Sequence, residues 1–296
     1  MKMSIFEKEA GIKVLSLFDG MSCAQIALKK LGVQVDNYYA SEIDKYAIKI
    51  TQSNFPDTIQ LGNVRGVQGR DLPEIDLLVG GSPCQGFSFA GKGLNFADER
   101  SKLFFHFARI LAEVKPKYFL LENVRMNKKS KDLVSNLLGV EPLTINSRLV
   151  SAQNRPRQYW TNIPVRFFPV DKNILLKDIL ERETATHYRA GQKLLDNYRG
   201  GNQLNPSYKS QANTIHDIEG KVFTLCAGTH GYGSGYVPES GNPRIFRKLT
   251  PTEFERLQTV PDGYTSGVSN TQRYKMLGNG MTVDVIAYLL SGVTKI

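Results

Sequence analysis

The run Ile75-Asp76-Leu77-Leu78-Val79 leads into Gly80-Gly81-Ser82-Pro83-Cys84-Gln85-Gly86-Phe87-Ser88. Its first five residues are mostly apolar, too few for a helix and flanked by turn formers, so they read as a buried strand. Gly80 and Gly81 are expected to turn the chain sharply at the carboxyl end of that strand, where open α/β sheets bind ligands. Pro83 fixes the backbone just ahead of the Cys84 thiol. A lone cysteine is most often an inert, buried, small hydrophobe. One on a loop after a strand, stiffened on one side only, sits where function collects.

Outward from this stretch the same grammar recurs. Lys13 to Phe18 (KVLSLF) is a second buried-strand candidate, followed by Asp19-Gly20-Met21-Ser22 and a helical pattern on Ala24, Ala27, Leu28 and Leu31. Gly32 stands where a helix C-cap belongs. Strand, glycine turn and helix make the first unit of a nucleotide-binding α/β fold, although GxGxxG is absent and no dinucleotide fingerprint exists. Asn37 to Ala40 ends at Ser41-Glu42-Ile43-Asp44. A carboxylate at the end of a second strand suits ribose hydroxyls, and Asp44 reads as the cap of a helix carrying Tyr46, Ala47 and Ile50.

Further on, Ser101 to Val114 is an amphipathic helix with Leu103, Phe104, Phe107, Ile110 and Leu111 as its stripe. Tyr118 to Leu121 is another buried strand and delivers Glu122-Asn123-Val124. A carboxylate after four apolar residues is costly unless it has a partner or a task. Gln153-Asn154-Arg155-Pro156-Arg157 sets two arginines around a proline, either a solvated basic turn or a clamp for phosphate and a base oxygen. Thr250-Pro251-Thr252-Glu253 reads as N-cap, N1 proline and reciprocal cap acid, opening a helix through Phe254, Leu257 and Gln258. Leu277-Gly278-Asn279-Gly280-Met281 precedes a last helix with Val283, Val285, Ile286 and Leu289.

Composition narrows the classes. The chain has 296 residues, 41% hydrophobic and 22% charged, as ordinary soluble proteins do. No apolar run approaches the roughly 20 residues of a membrane span, and MKMSIFEKEAG lacks the apolar core of a secretory signal. Three cysteines (Cys23, Cys84, Cys226) build no disulfide framework, and a free reactive thiol belongs in a reducing compartment. Cys226 and His230 are at most half of a metal site with no second pair, so no metal is expected. The net charge of +10 points towards a polyanionic partner without deciding it.

These stretches together resemble the DNA (cytosine-5)-methyltransferases of the compact bacterial or phage type. The catalytic half is also similar to the vertebrate de novo enzymes. "SPCQGFS" resembles their nucleophile loop, "LLENV" their catalytic glutamate strand, and Gln153 to Arg157 their Q-x-R-x-R motif. Residues Arg247 to Gln258 match R-x-L-T-x-x-E-x-x-R-L-Q, which organises the target region in that family.

The resemblance implies an α/β, Rossmann-like, S-adenosylmethionine-dependent core with a small target-recognition domain. The core would take residues 1–165 and 246–296, the recognition domain residues 166–245. Cys84 would be the nucleophile, Glu122 the acid, and Arg155 and Arg157 the catalytic arginines. Cofactor contacts would fall on Phe18, Asp19, Gly20, Glu42, Ile43, Asn63, Val64, Pro83, Leu103, Asn279 and Met281. Asn63 replaces the usual aspartate, keeping an acceptor for the adenine amino group but giving up its charge. DNA contacts would fall on Ser88, Lys92 and Gln153, with Phe89 to Arg100 as a lid. Arg182, Arg189, Lys193, Tyr198, Arg199 and Lys209 are further candidates for phosphate or base contact.

The chemistry explains the set. Cytosine C5 becomes nucleophilic when a thiolate adds to C6 and N3 is protonated, which calls for a cysteine, an acid and an anchor for O2. In a duplex the base must be flipped out. The expected protein is a monomeric restriction-modification methyltransferase acting on double-stranded DNA, cytoplasmic and nucleoid-associated. An RNA-directed relative is the first alternative, and Val222-Phe223-Thr224 departs from the Cys-Phe-Thr signature of that branch. The second alternative is a silent DNA-binding paralogue, against which Cys84, Glu122 and Arg157 stand intact.

Overall fold

The computed structural model describes residues 11–82, 102–165, 167–182, 188–189, 214–228, 233–239 and 242–293. Its frame is a seven-stranded sheet. In chain order the strands and helices of the first half are β1 (Ile12–Leu17), α1 (Cys23–Lys30), β2 (Val35–Ser41), α2 (Lys45–Asn54), β3 (Ile59–Gln60), β4 (Leu77–Gly81), α3 (Lys102–Val114), β5 (Tyr118–Val124), α4 (Lys128–Leu138), β6 (Leu143–Asn146), β7 (Gln153–Asn154) and β8 (Pro156–Thr161). The sheet order is β3-β2-β1-β4-β5-β8-β6, parallel through β5, with β8 antiparallel to both its neighbours. The chain winds outward from β1 to β3 and then returns to β4. The carboxyl ends of β1 and β4 therefore flank the switch point, the position at which such sheets bind ligands.

Period-two alternation sends the apolar residues of each strand to opposite faces. Val14, Leu77, Val79, Leu120 and Tyr159 join one cluster, with α1 contributing Ala24, Ala27 and Leu28. Leu15, Leu17, Leu78, Phe119, Leu121 and Trp160 join the other, covered by Phe104, Phe107 and Ile110 of α3 and by Val134 and Leu138 of α4. A two-faced parallel sheet needs both faces covered, and these helices do it. Trp160 is fully buried and its indole N–H donates to Ser135 Oγ at 3.0 Å, so its one polar atom is satisfied.

Gly80 and Gly81 correct the sequence reading. They do not turn the chain; they are the last residues of β4. A Cβ on Gly80 would lie 2.8 Å from the ring of Phe107, and one on Gly81 3.4 Å from Glu122 Oε2. Their role is close approach: α3 lies against the strand and the Glu122 carboxylate lies beside it.

The second half adds β9 (Tyr188–Arg189), β10 (Val222–Phe223), β11 (Tyr236–Glu239), β12 (Asn242–Lys248), α5 (Pro251–Leu257), α6 (Asn270–Asn279) and α7 (Val283–Leu290). β11, β12 and β9 form a small antiparallel sheet, while β10 pairs with β7 in parallel. Much of the described stretch between 167 and 245 is built into the main core. Leu176, Ile179, Val222, Leu225 and Val237 share one apolar cluster with α1, α5 and α7. Among the described residues, no helix is long and apolar enough to cross a membrane.

The start of α5 follows the sequence expectation. Thr250 accepts from the Glu253 N–H at 3.1 Å, and Glu253 Oε2 accepts from the Thr250 N–H at 2.8 Å. The fully buried Glu253 also takes two hydrogen bonds from Arg247, at 2.7 and 2.8 Å. The Arg247-to-Gln258 motif is thus physically a capping box clamped by a buried, bidentate ion pair.

Candidate active site

At the carboxyl ends of β1, β2, β4 and β5 lies a cavity of about 580 Å³. Ten of the residues singled out for cofactor contact line it: Phe18, Asp19, Gly20, Glu42, Ile43, Asn63, Val64, Leu103, Asn279 and Met281. Glu122, Arg155 and Arg157 line it too. Pro83, Cys84, Ser88, Lys92 and the stretch 89–100 lie outside the described residues, as do Lys193, Tyr198, Arg199 and Lys209.

The turn after β1 is held in costly backbone geometry. Phe18, Gly20 and Ser22 have φ of +57°, +59° and +61°, and two of them carry a Cβ. Such strain persists where surrounding contacts impose it, and here they are on hand. Glu42 Oε2 accepts from the Gly20 N–H at 2.8 Å, while Oε1 accepts from Ile43 and Asp44 at 2.7 and 2.8 Å. One carboxylate thereby ties the end of β2 to the turn after β1. Asp44 caps α2 through Tyr46 N–H at 2.9 Å and meets Lys275 Nζ at 2.6 Å.

Beneath the turn, Asp19 accepts from Ser22 Oγ and, at 2.8 Å, from Tyr38 Oη. Burial pushes its carboxyl up to about 6, against the pull of the Ser16, Ser22 and Tyr38 hydroxyls and with a smaller push from the Glu42 charge. Cys23, buried on the same wall, has its thiol pushed up to about 12, mainly by burial. Burial also raises Cys226. Neither is poised to be a thiolate.

Opposite, Glu122 is 8% exposed and its Oε1 sits 3.0 Å from Arg157 Nε. β5 delivers the carboxyl group and β8 the guanidinium, since Val124 pairs with Arg157 and Glu122 with Tyr159 across the antiparallel ladder. Asn123 points the other way and donates to Ser82 Oγ at 2.9 Å and Ser82 O at 3.3 Å. That pins the residue after β4 to the strand that carries the acid.

Arg155 is 3% exposed and donates to backbone carbonyls: Leu225 at 3.4 Å, Gly278 at 3.2 Å and Gly280 at 2.9 Å. Burial, with the Arg157 charge beside it, lowers its guanidinium to about 10, still charged at neutral pH. Gln153 corrects the sequence reading. It is completely buried, its amide donating to Leu257 O and Gln258 Oε1 and accepting from Leu225 N–H. A side chain so enclosed does not reach DNA; it anchors β7.

Sequence reasoning missed Lys275, Ser82 and Asn123 on the cavity wall. α6, which carries Lys275, went unread although Ser269 ahead of it is an N-cap signal.

A cavity at the switch point of a doubly wound sheet, with an acidic residue ending β2 and an acid–arginine pair across from it, defines an α/β enzyme of the nucleotide-cofactor class. Comparison with known proteins narrows this. The family model for C-5 cytosine-specific DNA methylases matches residues 12–140 and 144–295. The type II methyltransferase M1.ScrFI of Lactococcus lactis subsp. cremoris is 34% identical, over 94% of this chain and 77% of its own. M.HhaI of Haemophilus parahaemolyticus is 28% identical over 94% and 93%, and M.NgoBI of Neisseria gonorrhoeae 32% over 93% and 90%. Among solved structures, a putative DNA modification methyltransferase of an E. coli prophage superposes with a TM-score of 0.70 at 20% identity, covering 96% of this chain and 98% of that one. The S. pombe Dnmt2 methyltransferase does so with 0.70 at 19%, covering 95% and 97%.

The chain belongs to the C-5 cytosine-specific DNA methylase family. It is a methyltransferase that acts on cytosine in DNA with S-adenosylmethionine as methyl donor.

Proposed function

We propose that this protein methylates C5 of a cytosine flipped out of duplex DNA, with Cys84 as nucleophile, Glu122 as acid and Arg157 as the anchor of the base. The observation that carries the reading is the Glu122–Arg157 pair at 3.0 Å, opening onto the same cavity as Phe18 and Glu42. An acid held against a guanidinium has a fixed direction, and both groups are nearly buried, so little water competes for them.

The cavity fits S-adenosylmethionine. Its volume suits a nucleoside-sized ligand, and Phe18 and the exposed Ile43 offer apolar surface for a base. Glu42 Oε1 is filled by two backbone N–H groups, whereas Oε2 keeps a lone pair, so Glu42 has room for one ribose hydroxyl. Asn63 Oδ1 already accepts from the Arg65 N–H at 3.0 Å, which leaves it one lone pair for an adenine amino group. The bound cofactor supplies the methyl group.

The chain's own residues do the rest. The Cys84 thiolate adds to C6, its electron pair closing the C6–S bond while N3 takes a proton from Glu122. Arg157 holds O2 and, through Nε, pairs with Glu122 Oε1, so that Oε2 is the oxygen that carries the proton. As C5 is substituted, N3 returns its proton to Glu122. The C5 proton then passes to solvent water and the C6–S electron pair leaves with the Cys84 thiolate, which restores the ring and frees the enzyme. Cys23 and Cys226 are both held as thiols, which supports the choice of Cys84.

We place sequence recognition in residues 166–245 and catalysis in 1–165 and 246–296. The protein works as a monomer in the cytoplasm on the nucleoid, a reducing setting that suits its free nucleophilic thiol. Labelled S-adenosylmethionine, offered with duplex DNA and with tRNA, tests the assignment. Duplex DNA should be labelled and tRNA not, and Glu122→Gln should lower kcat by roughly 10² to 10⁴-fold with cofactor Kd little changed. Label in tRNA alone would establish the RNA-directed alternative.

A further inference from the structure

The Arg155 guanidinium joins two chain segments that have different tasks. Nη1 donates to the carbonyl of Leu225, just after β10, and Nη2 to the carbonyls of Gly278 and Gly280, where α6 ends. Leu225 lies in the stretch assigned to recognition, and Gly280 lies between Asn279 and Met281 on the cofactor wall. The two segments also touch directly: a Cβ on Gly278 would lie 2.4 Å from the backbone of Cys226. Gln153 and Gln258 make a second bridge over the same gap. Gln153 accepts from Leu225 N–H at 2.9 Å and donates to Gln258 Oε1 at 3.2 Å. Gln258 in turn donates to the carbonyls of Leu277 and Gly280 at 2.6 and 3.0 Å.

Arg155 Nε is buried and has no hydrogen-bond partner among the described residues. The hydrogen bonds of this buried cation are those to the three carbonyls, so each one lost leaves further charge or dipole unpaired. Displacing either segment therefore costs free energy through the same guanidinium. Ordering one segment lowers the cost of ordering the other.

We infer that Arg155 is a positioning residue that couples DNA binding at the recognition segment to cofactor binding at residues 278–281. The inference rests on the functional reading above, and reciprocity makes it measurable. DNA must tighten the cofactor by the same factor as the cofactor tightens DNA.

The probe is S-adenosylhomocysteine, titrated by calorimetry into the full chain with and without a duplex that the enzyme methylates. In the wild type the duplex should lower its Kd roughly fivefold or more, in the usual range for coupled sites. In Arg155→Met the ratio should fall below about twofold, and Arg155→Lys should fall between, since one ammonium cannot span both carbonyl groups. A residue that served stability alone would change the separate Kd values and leave their ratio intact. If Arg155→Met does not fold, Arg155→Lys decides. A wild-type ratio of one, or a ratio kept in the variants, overturns the coupling. Failure to bind S-adenosylhomocysteine at all would instead overturn the functional reading.

Discussion

Replacing Asp19 by asparagine should stabilise the ligand-free enzyme and weaken its grip on the cofactor. Asp19 is 5% exposed, and burial raises its carboxyl from 3.8 to about 6. That rise corresponds to about 3 kcal/mol, the cost of keeping the group ionised in the fold at neutral pH. The folded value lies above the unfolded one, so the stability Asp19 contributes is full below about 3.8 and is lost as pH rises through about 6. Asparagine imitates the neutral acid: its oxygen can accept from Tyr38 Oη and its amide can donate to Ser22 Oγ. Urea unfolding of both proteins between pH 4 and pH 8 isolates this one group from the other carboxyls. The gap should be small at pH 4 and grow to as much as about 3 kcal/mol in favour of the variant above pH 7. Calorimetry at pH 8 should show weaker cofactor binding by the variant, because Asp19 lines the cavity. A gap that stays flat with pH, or a variant less stable at pH 8, would refute the argument that burial governs this carboxyl.

Gly278→Ala should cost about 1–3 kcal/mol in urea unfolding and raise the cofactor KM, since the new methyl meets immovable backbone at Cys226. Unchanged stability would mean that the two segments do not touch. Glu253→Gln should destabilise by about 3 kcal/mol, because the buried Arg247 loses its bidentate carboxylate and keeps Glu239 at 3.5 Å and the Lys248 carbonyl at 3.1 Å; unfolding midpoints read the loss. Asn63→Asp should tighten the cofactor by about 1 kcal/mol in calorimetry, keeping the turn to Arg65 and adding charge towards the adenine amino group. No gain would show that Asn63 does not face the adenine.

β1, β4 and β5 were legible because buried strands are apolar runs bounded by turn formers. β2 is no such run and was read only over Asn37 to Ala40, and the two-residue β3 offers too little pattern to read. The caps at Asp44 and Thr250 were legible because capping is local chemistry. What escaped depends on distant partners. Gln153 looks like a surface amide until Leu225, Leu257 and Gln258 close around it. Arg155 and Arg157 stand two residues apart, yet one meets carbonyls in the interior and the other a carboxylate at the cavity. Gly80 and Gly81 signal freedom of the backbone, whereas their use is the approach of Phe107 and Glu122. A helix such as α6, with few apolar residues, gives period analysis little to detect.

The central claim is covalent attack by Cys84 on a cytosine in duplex DNA. A duplex in which 5-fluorocytosine replaces the target base tests it most directly, because fluorine at C5 blocks release of the thiolate after methyl transfer. With S-adenosylmethionine present, the wild type should form an adduct that survives denaturing electrophoresis and maps by mass spectrometry to Cys84. Cys84→Ala should bind the same duplex and form none. An adduct on Cys23 or Cys226, or no adduct while ordinary duplex is methylated, would contradict the account.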